Sequence, residues 1–470
     1  MRSRSRSSWT RRELLRSTSV IPLSISALRA AEALPRIPSF APAPPMGWNS
    51  FDSYGVYLHQ EAALQNLAAM VQKLKPAGYE YFVIDNGWFG EYKLVPGTVY
   101  AAEKHASDVR LNSFGLLQPS QTYFPHGLQP IAERAHNAGL KFGLHLMRGI
   151  PRKAVELNLP VEGTKVRARD IANVNSTCSW CPYNYGVDMR KPGAQAFYDS
   201  LVSQLVNWGV DLIKADDIVP YPEEILALAT AIERTGKKIV LSLSPGGNAP
   251  LENLPYYRRA NMLRITADVW DRRSDLDKGF DAWKKFSGTG RPGFWPDLDM
   301  IPFGALQLMS PKDLAAKGDA KLAGYGNTRR CQLTHDQQYT FITMRSLAAS
   351  PLFAGGDLPS LDTFSLSLLT NPQMIACNQN GQMGANTYAS DGIEIWKAAD
   401  RKNGSINWVG VFNRNQATKQ FHLSTKDMGL PAEAKHRAYD IWHNRDFSFD
   451  QPDLAIPADG VLFLRVETSL

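Results

Sequence analysis

The chain has 470 residues, 44% hydrophobic and 21% charged, with 35 glycines and 30 prolines. That is globular composition at two- to three-domain length, and it excludes a disordered chain, a collagen-like repeat and a disulfide-stapled miniprotein. The net charge is +7, but seven arginines against two glutamates in the first 33 residues carry +5 of it. The rest has no basic stripe for a phosphate backbone, which argues against a nucleic-acid partner, and no apolar run approaches the ~20 residues of a membrane span.

Thr10-Arg11-Arg12-Glu13-Leu14-Leu15-Arg16 resembles a twin-arginine export signal. A modest apolar stretch at 20–28 and the small-x-small pattern Ala31-Glu32-Ala33 follow it. A disordered basic tail with a chance Arg-Arg pair is the plain alternative, because Arg29 and several serines weaken the apolar stretch. The export reading makes residues 1–33 a signal peptide and the mature chain periplasmic or secreted in a bacterium. Five prolines in 34–45 form an extended lead-in.

From Met46 onward, short β-branched and aromatic runs alternate with segments of helical period. Buried strands are predicted at 81–85, 141–146, 211–215, 239–243 and 262–266, with weaker ones starting at 45–48, 294–295 and 352–353. Between them, 61–74, 129–138, 192–208 and 223–235 space apolar residues three and four apart, with Pro192 suited to a first helical turn. Eight strands alternating with helices is the count of a closed (β/α)8 TIM barrel, an α/β fold assigned to 34–383. The stretch 147–188 is longer than a barrel loop needs, and it carries Arg148, Arg152, Trp180 and Tyr183. The two arginines suit a leaving group, an acidic substituent or solvent, and the two aromatics suit an outer sugar platform.

The same stretch holds Cys178 and Cys181 in a CxxC, while Cys331 and Cys377 stand apart. No other His or Cys pair completes a zinc site, and the setting is loop-like rather than the strand-to-helix turn of a redox motif. Buried thiols, or one or two local disulfides, are expected. From residue 384 the pattern changes to short strands at 392–398, 407–413, 420–424, 437–442 and 460–466, separated by turns such as Ser390-Asp391-Gly392. A C-terminal antiparallel β-sandwich over 384–470 is predicted.

Active sites of such barrels form at the C-terminal ends of the strands, and several predicted strands finish in carboxylates. The second ends Ile84-Asp85-Asn86-Gly87-Trp88, and the fourth Lys214-Ala215-Asp216-Asp217. The sixth runs Arg264-Ile265-Thr266-Ala267-Asp268, and the seventh Trp295-Pro296-Asp297-Leu298-Asp299. An aspartate just past a strand is also a common helix N-cap, so each alone has an ordinary structural explanation. Four such ends, with Trp48, Trp88, Trp270 and Trp295 nearby, fit a sugar better, because indole faces suit its apolar side and Asp, Asn, Lys and Arg its hydroxyls. Glycoside hydrolysis needs two carboxyl groups, one ionised and one protonated. Strand alternation puts Lys214 on the same face as Asp216, where a cation favours the ionised form. No GxxxxGK[ST], GxSxG or HExxH motif is present.

These motifs resemble glycoside hydrolase family 27, the α-galactosidase (melibiase) family. The resemblance rests on Pro44-Pro45-Met46-Gly47-Trp48-Asn49-Ser50, Ile84-Asp85-Asn86-Gly87-Trp88, Trp208-Gly209-Val210-Asp211 with Lys214-Ala215-Asp216, Ala267-Asp268, Asp297-Leu298-Asp299-Met300, Ser350-Pro351-Leu352-Phe353 and the tail segment Tyr439-Asp440-Ile441-Trp442. It implies a retaining exo-glycosidase acting on a carbohydrate substrate, with Asp216 as nucleophile and Asp268 as acid/base. It also implies sugar contacts from Asp85, Lys214, Arg264 and Asp299, an aromatic platform at Trp48, and neither metal nor organic cofactor. The expected activity is release of terminal α-D-galactosyl residues, with α-N-acetylgalactosaminidase, β-L-arabinopyranosidase or a catalytically silent carbohydrate-binding barrel as alternatives. A homo-oligomer is compatible with the sequence, which sets no oligomeric state.

Three departures bear on the sugar. Asn86 stands where many members have a second aspartate, changing donor and acceptor character around O4 and O6. Leu243-Ser244-Pro245 replaces the usual Cys-Glu-Trp, and a small Ser244 leaves room for a 2-acetamido group. His145 replaces a frequent tyrosine after the third strand; a lone histidine is commonly structural, but this placement favours a substrate contact.

Overall fold

The computed structural model describes residues 40–103, 105–309, 328–449 and 453–469. The expected export signal and the start of the proline-rich lead-in fall in 1–39, outside the described residues. Eight parallel strands build the first unit: β1 (Met46–Asn49), β2 (Tyr81–Ile84), β3 (Lys141–Met147), β4 (Leu212–Asp216), β5 (Val240–Leu243), β6 (Met262–Arg264), β7 (Trp295–Asp297) and β8 (Leu352–Ala354). They pair in the order β7-β6-β5-β4-β3-β2-β1-β8. The remaining seam closes through Ile301, which bridges Ala354, donates its N–H to the Phe353 carbonyl at 2.8 Å and accepts from the Gly355 N–H at 2.9 Å. All eight predicted strands are present, and the sheet curls into the barrel that was expected.

Strands buried on both faces explain why runs such as Tyr81-Phe82-Val83-Ile84 are continuously apolar. The predicted helices appear as α1 (Gln60–Lys73), α2 (Gln129–Asn137), α3 (Ala194–Asn207) and α4 (Pro222–Thr235). Pro192 precedes α3 rather than entering its first turn, because Gly193 at φ 87° turns the chain just before the helix. Two further helices, α5 (Arg273–Lys285) and α6 (His335–Leu347), were not predicted. The first is dominated by charged residues, and the second begins in a capping box made by Thr334 and Gln337. The long 147–188 stretch is folded: strands at Ile150–Pro151, Ala172–Thr177 and Asn184–Val187 form a small sheet above the barrel mouth. Cys178 and Cys181 are buried in its turn, and all four cysteines are free thiols, so no disulfide forms; the buried-thiol alternative describes three of them, and Cys331 is partly exposed.

The second unit is a six-stranded antiparallel sheet in the order β9-β10-β11-β16-β13-β14, with a two-stranded β12–β15 layer beside it. These strands are β9 (Ala385–Ser390), β10 (Ile393–Ala399), β11 (Ile406–Asn413), β12 (Lys419–Phe421), β13 (Lys435–Asp440), β14 (Arg445–Phe447), β15 (Leu454–Ile456) and β16 (Val461–Ser469). Alternation divides each strand between two cores. Ile393, Ile395, Val409, Val411 and Leu464 pack with Leu423 and Ile456 under the small layer, whereas Trp396, Trp408, Phe412 and Phe463 join the barrel's core.

At that junction Trp396 stacks on Trp283 of α5 with ring centroids 3.8 Å apart, and Phe412 meets Phe280 edge-on at 5.0 Å. Both tryptophans are at most 1% exposed. Truncation there removes a large buried side chain from a seam that cannot collapse. Trp396→Ala is expected to cost about 3–5 kcal/mol, read as a lowered denaturant midpoint.

Candidate active site

The strand ends of the barrel, joined by the small 147–188 sheet, surround a cleft of about 440 Å³. Seven of the ten side chains singled out in the sequence line it: Asp85, Asn86, Lys214, Asp216, Arg264, Asp268 and Asp299. β2 and β4 set its floor. Lys214 Nζ lies 2.7 Å from Asp85 Oδ2, which also accepts from Asn49 Nδ2 at 2.7 Å, while the Ser50 hydroxyl accepts the Asp85 backbone N–H at 3.0 Å. Burial alone would raise the Asp85 pKa, but the Lys214 charge and hydrogen bonds from Lys214 and the Asn86 backbone N–H outweigh it and hold the carboxyl below its ordinary value.

Asp216, at the end of β4, is treated in the same way more strongly. Burial opposes its ionisation, but a hydrogen bond from His145 and the charges of Lys214 and Arg264 prevail, so its pKa falls well below the usual carboxylate range. His145 Nε2 lies 3.1 Å from Asp216 Oδ2. A carboxylate only accepts, so that nitrogen is the donor. Strand alternation credits Lys214 with this effect; the histidine is the nearer partner, and Lys214 pairs directly with Asp85.

On the opposite side, Arg264 at the end of β6 reaches two carboxylates. Its Nη1 is 3.2 Å from Asp299 Oδ2, and its Nη2 is 2.8 Å from Asp268 Oδ1. Asp299 is buried, sits in the left-handed region at φ 74° and accepts the Val269 N–H at 2.9 Å. The Asp268 side chain is 50% exposed. One carboxyl held ionised and a second at the water-facing edge of the same cleft are the two parts that glycosidic bond cleavage requires.

Known proteins share the architecture that carries this cleft. Residues 390–466 match the family described as the alpha galactosidase C-terminal beta sandwich domain. A solved β-L-arabinopyranosidase of glycoside hydrolase family 27 from Geobacillus stearothermophilus is 36% identical, with 92% of this chain and 98% of that one covered and a TM-score of 0.83. The chain belongs to glycoside hydrolase family 27. Human α-galactosidase A is 25% identical, over 80% of this chain and 75% of its own length. The α-galactosidase of Cyamopsis tetragonoloba is 23% identical, over 89% and 84% respectively. The protein is a glycoside hydrolase.

Within this family member, three expected sugar contacts lie elsewhere. Trp48 is fully buried, stacks on Phe82 with centroids 4.9 Å apart and donates its indole N–H to the Gly356 carbonyl. It therefore belongs to the layer between strands and helices. Trp88 and Trp295 are likewise core residues, while Trp270 lines the cleft. His145 is wholly buried behind Asp216, so it positions that carboxylate rather than contacting sugar. Ser244 lies in the barrel interior below the cleft floor, and Pro245 forms the wall at that point, so the room inferred for a 2-acetamido group is not there. Arg148 is neither solvated nor on the cleft wall: it binds Asp217 and Glu224 at 3.0 and 2.6 Å and lies 3.5 Å over the Tyr221 ring. Arg152 rests on Tyr185 at 4.7 Å, whereas Trp180 and Tyr183 do line the cleft mouth.

Other residues at the site had drawn no notice in the sequence. Phe51 supplies the aromatic wall at the end of β1, with its ring 6.0 Å from Lys214 Nζ. Beside it Asp52 lines the cleft with a buried carboxyl that has no hydrogen-bond partner among the described residues. Burial and the neighbouring Asp299 push its pKa well above the ordinary value. The adjacency Phe51-Asp52 just past a predicted strand was the available signal.

Arg345 of α6 gave no signal at all. Its guanidinium is fully buried, lies 3.5 Å over the Phe341 ring and donates to the carbonyls of Leu298 at 2.6 Å and Asp299 at 3.4 Å. It thus holds from behind the backbone that presents Asp299 in its unfavourable conformation. Arg345→Met strands those carbonyls, and a loss of about 1–3 kcal/mol in a denaturant melt is expected. Turnover per folded molecule should fall with it.

Proposed function

We propose that the chain is an exported, retaining exo-glycosidase that removes terminal α-D-galactosyl residues from oligo- or polysaccharides. The carrying observation is the asymmetry of the two carboxyl groups: Asp216 held ionised by His145, Lys214 and Arg264, and Asp268 half exposed at the edge of the same cleft. In this reading Asp216 attacks the anomeric carbon to form a covalent glycosyl-enzyme while Asp268 gives its proton to the departing oxygen. Asp268 then takes a proton from water, which displaces Asp216 and restores the anomeric configuration. A sugar hydroxyl that takes over Arg264 Nη2 releases Asp268 to turn toward the glycosidic oxygen. Asp85, Lys214 and Asp299 offer acceptors and a donor to the ring hydroxyls. Neither step calls for a cofactor. The Arg11-Arg12 segment and Ala31-Glu32-Ala33 support export before cleavage near residue 33.

A second reading, β-L-arabinopyranosidase, is favoured by the 36% identity to the Geobacillus stearothermophilus enzyme. That sugar shares galactose's ring stereochemistry and lacks C6, and Asn86 gives this cleft one carboxylate fewer beside Asp85.

Two measurements test the proposal. A nitrophenyl panel of α-galactoside, α-N-acetylgalactosaminide, β-L-arabinopyranoside and α-glucoside should show one preferred sugar, with Asp216→Asn at least about 10³-fold slower. The first-formed product, read by proton NMR, should keep the substrate's anomeric configuration; inversion would reject the double displacement. The pH profile of kcat/KM carries a further expectation. Because Asp216 works ionised and is depressed by His145, the acid limb of the native enzyme lies at low pH. His145→Phe removes one charge-assisted hydrogen bond and should move that limb upward by about one to two pH units.

A further inference from the structure

The cleft has a closed end and an open one. Asp85 and Asp299, 2% and 4% exposed, shut the inner end, whereas the Asp268 side chain, 50% exposed, and Trp180, 48% exposed, stand in water at the outer end. Of the large hydrophobic side chains left exposed among the described residues, Trp180 alone lines the cleft. An apolar face of that size in water is unfavourable by itself, and the turn that carries it is nonetheless firmly built. The Cys178 sulfur accepts the backbone N–H groups of Trp180 and Cys181, and the Cys181 sulfur accepts that of Tyr183. Both sulfurs pack with Met147 from the end of β3. Tyr183 meets Phe89 edge-on at 5.6 Å, and its hydroxyl accepts the Ala106 N–H at 2.9 Å. The CxxC, which the catalytic reading leaves without a part, is therefore a sulfur cradle that sets the indole on a fixed backbone. A platform held in this way needs little further ordering when a ligand meets it.

The face of an indole is negative, and the C–H groups on one side of a pyranose ring are polarised positive by the oxygens on the same carbons. We infer that Trp180 is the leaving-group platform of this cleft, on which the sugar ring next to the scissile bond stacks. The substrate class is then a terminal sugar attached to another sugar, rather than to an alkyl or lipid alcohol. The assignment rests on the reading above, in which Asp268 protonates the departing oxygen. With the inner end closed, that oxygen and whatever it carries leave through the outer end, where Trp180 stands.

The test uses the full chain and two uncharged substrates. The sugar identified by the nitrophenyl panel is supplied as its methyl glycoside and, separately, linked to O6 of glucose. kcat/KM for the disaccharide should exceed that for the methyl glycoside about fivefold, and the ratio should hold as sodium chloride is raised, because the contact carries no charge. Trp180→Ala should lower the ratio toward one, and Trp180→Tyr should keep most of it. A ratio of one in the native enzyme, with the methyl glycoside cleaved, overturns the platform while leaving the glycosidase reading intact. A ratio above one that Trp180→Ala leaves unchanged overturns the assignment of Trp180, and a ratio that collapses in salt overturns stacking as its cause. Cleavage of a nitrophenyl glycoside but of neither test substrate overturns the sugar leaving group alone. Silence across the whole nitrophenyl panel overturns the glycosidase reading and this one with it.

Discussion

Four carboxylates, Asp85, Asp216, Asp268 and Asp299, converge at the strand ends of this barrel, and with three of them buried they repel one another. What allows them to remain together is a pair of buried cations. Lys214 serves Asp85 directly and Asp216 through space, and Arg264 bridges Asp299 and Asp268. Each cation comes from a strand rather than a loop, so the charge pattern is fixed by backbone pairing: Lys214 lies opposite Ser242 and His145 in the sheet, and Arg264 opposite Asp297. The carboxyls differ in their uses because their surroundings differ. Asp85 and Asp216 are enclosed, Asp268 meets water, and burial beside Asp299 pushes the Asp52 carboxyl well above the ordinary range.

Much of this was legible in the sequence, because the strand runs and the aspartates that end them are consecutive residues. Period-two alternation also placed Lys214 with Asp216 correctly. Applied to β1 as well, the same rule would have excluded Trp48: Asn49 faces Asp85, so its neighbour Trp48 must face the helices, where it stacks on Phe82. His145 and Ser244 are harder cases. Both have the parity of the barrel interior, and only depth separates a side chain that touches ligand from one that lies beneath it. Depth depends on the stagger of eight strands, which no local pattern encodes.

Arg345 shows a different limit. A buried guanidinium in a helix reads as surface charge in a sequence, because its partners, the carbonyls of 298 and 299, lie 47 and 46 residues away. The 147–188 stretch was likewise visible as long but not as folded. Its strands include one of two residues, too short for periodicity to register, and its pairing crosses 35 residues from Ile150 to Tyr185.

The seam between barrel and sandwich bears on how such enzymes can be recombined. α5, which follows the loop carrying Asp268 and Arg272, is fastened to the terminal unit by Arg273 to Asp459 at 3.0 Å and by Asp277 to Arg414 at 2.6 Å, as well as by its aromatic face. The terminal unit is therefore not an appendage that can be exchanged for a different module at will. A chimera that keeps this barrel inherits the obligation to present a matching tryptophan, phenylalanine and pair of counter-charges. Lineages that share the barrel should be expected to have carried both halves of the seam together.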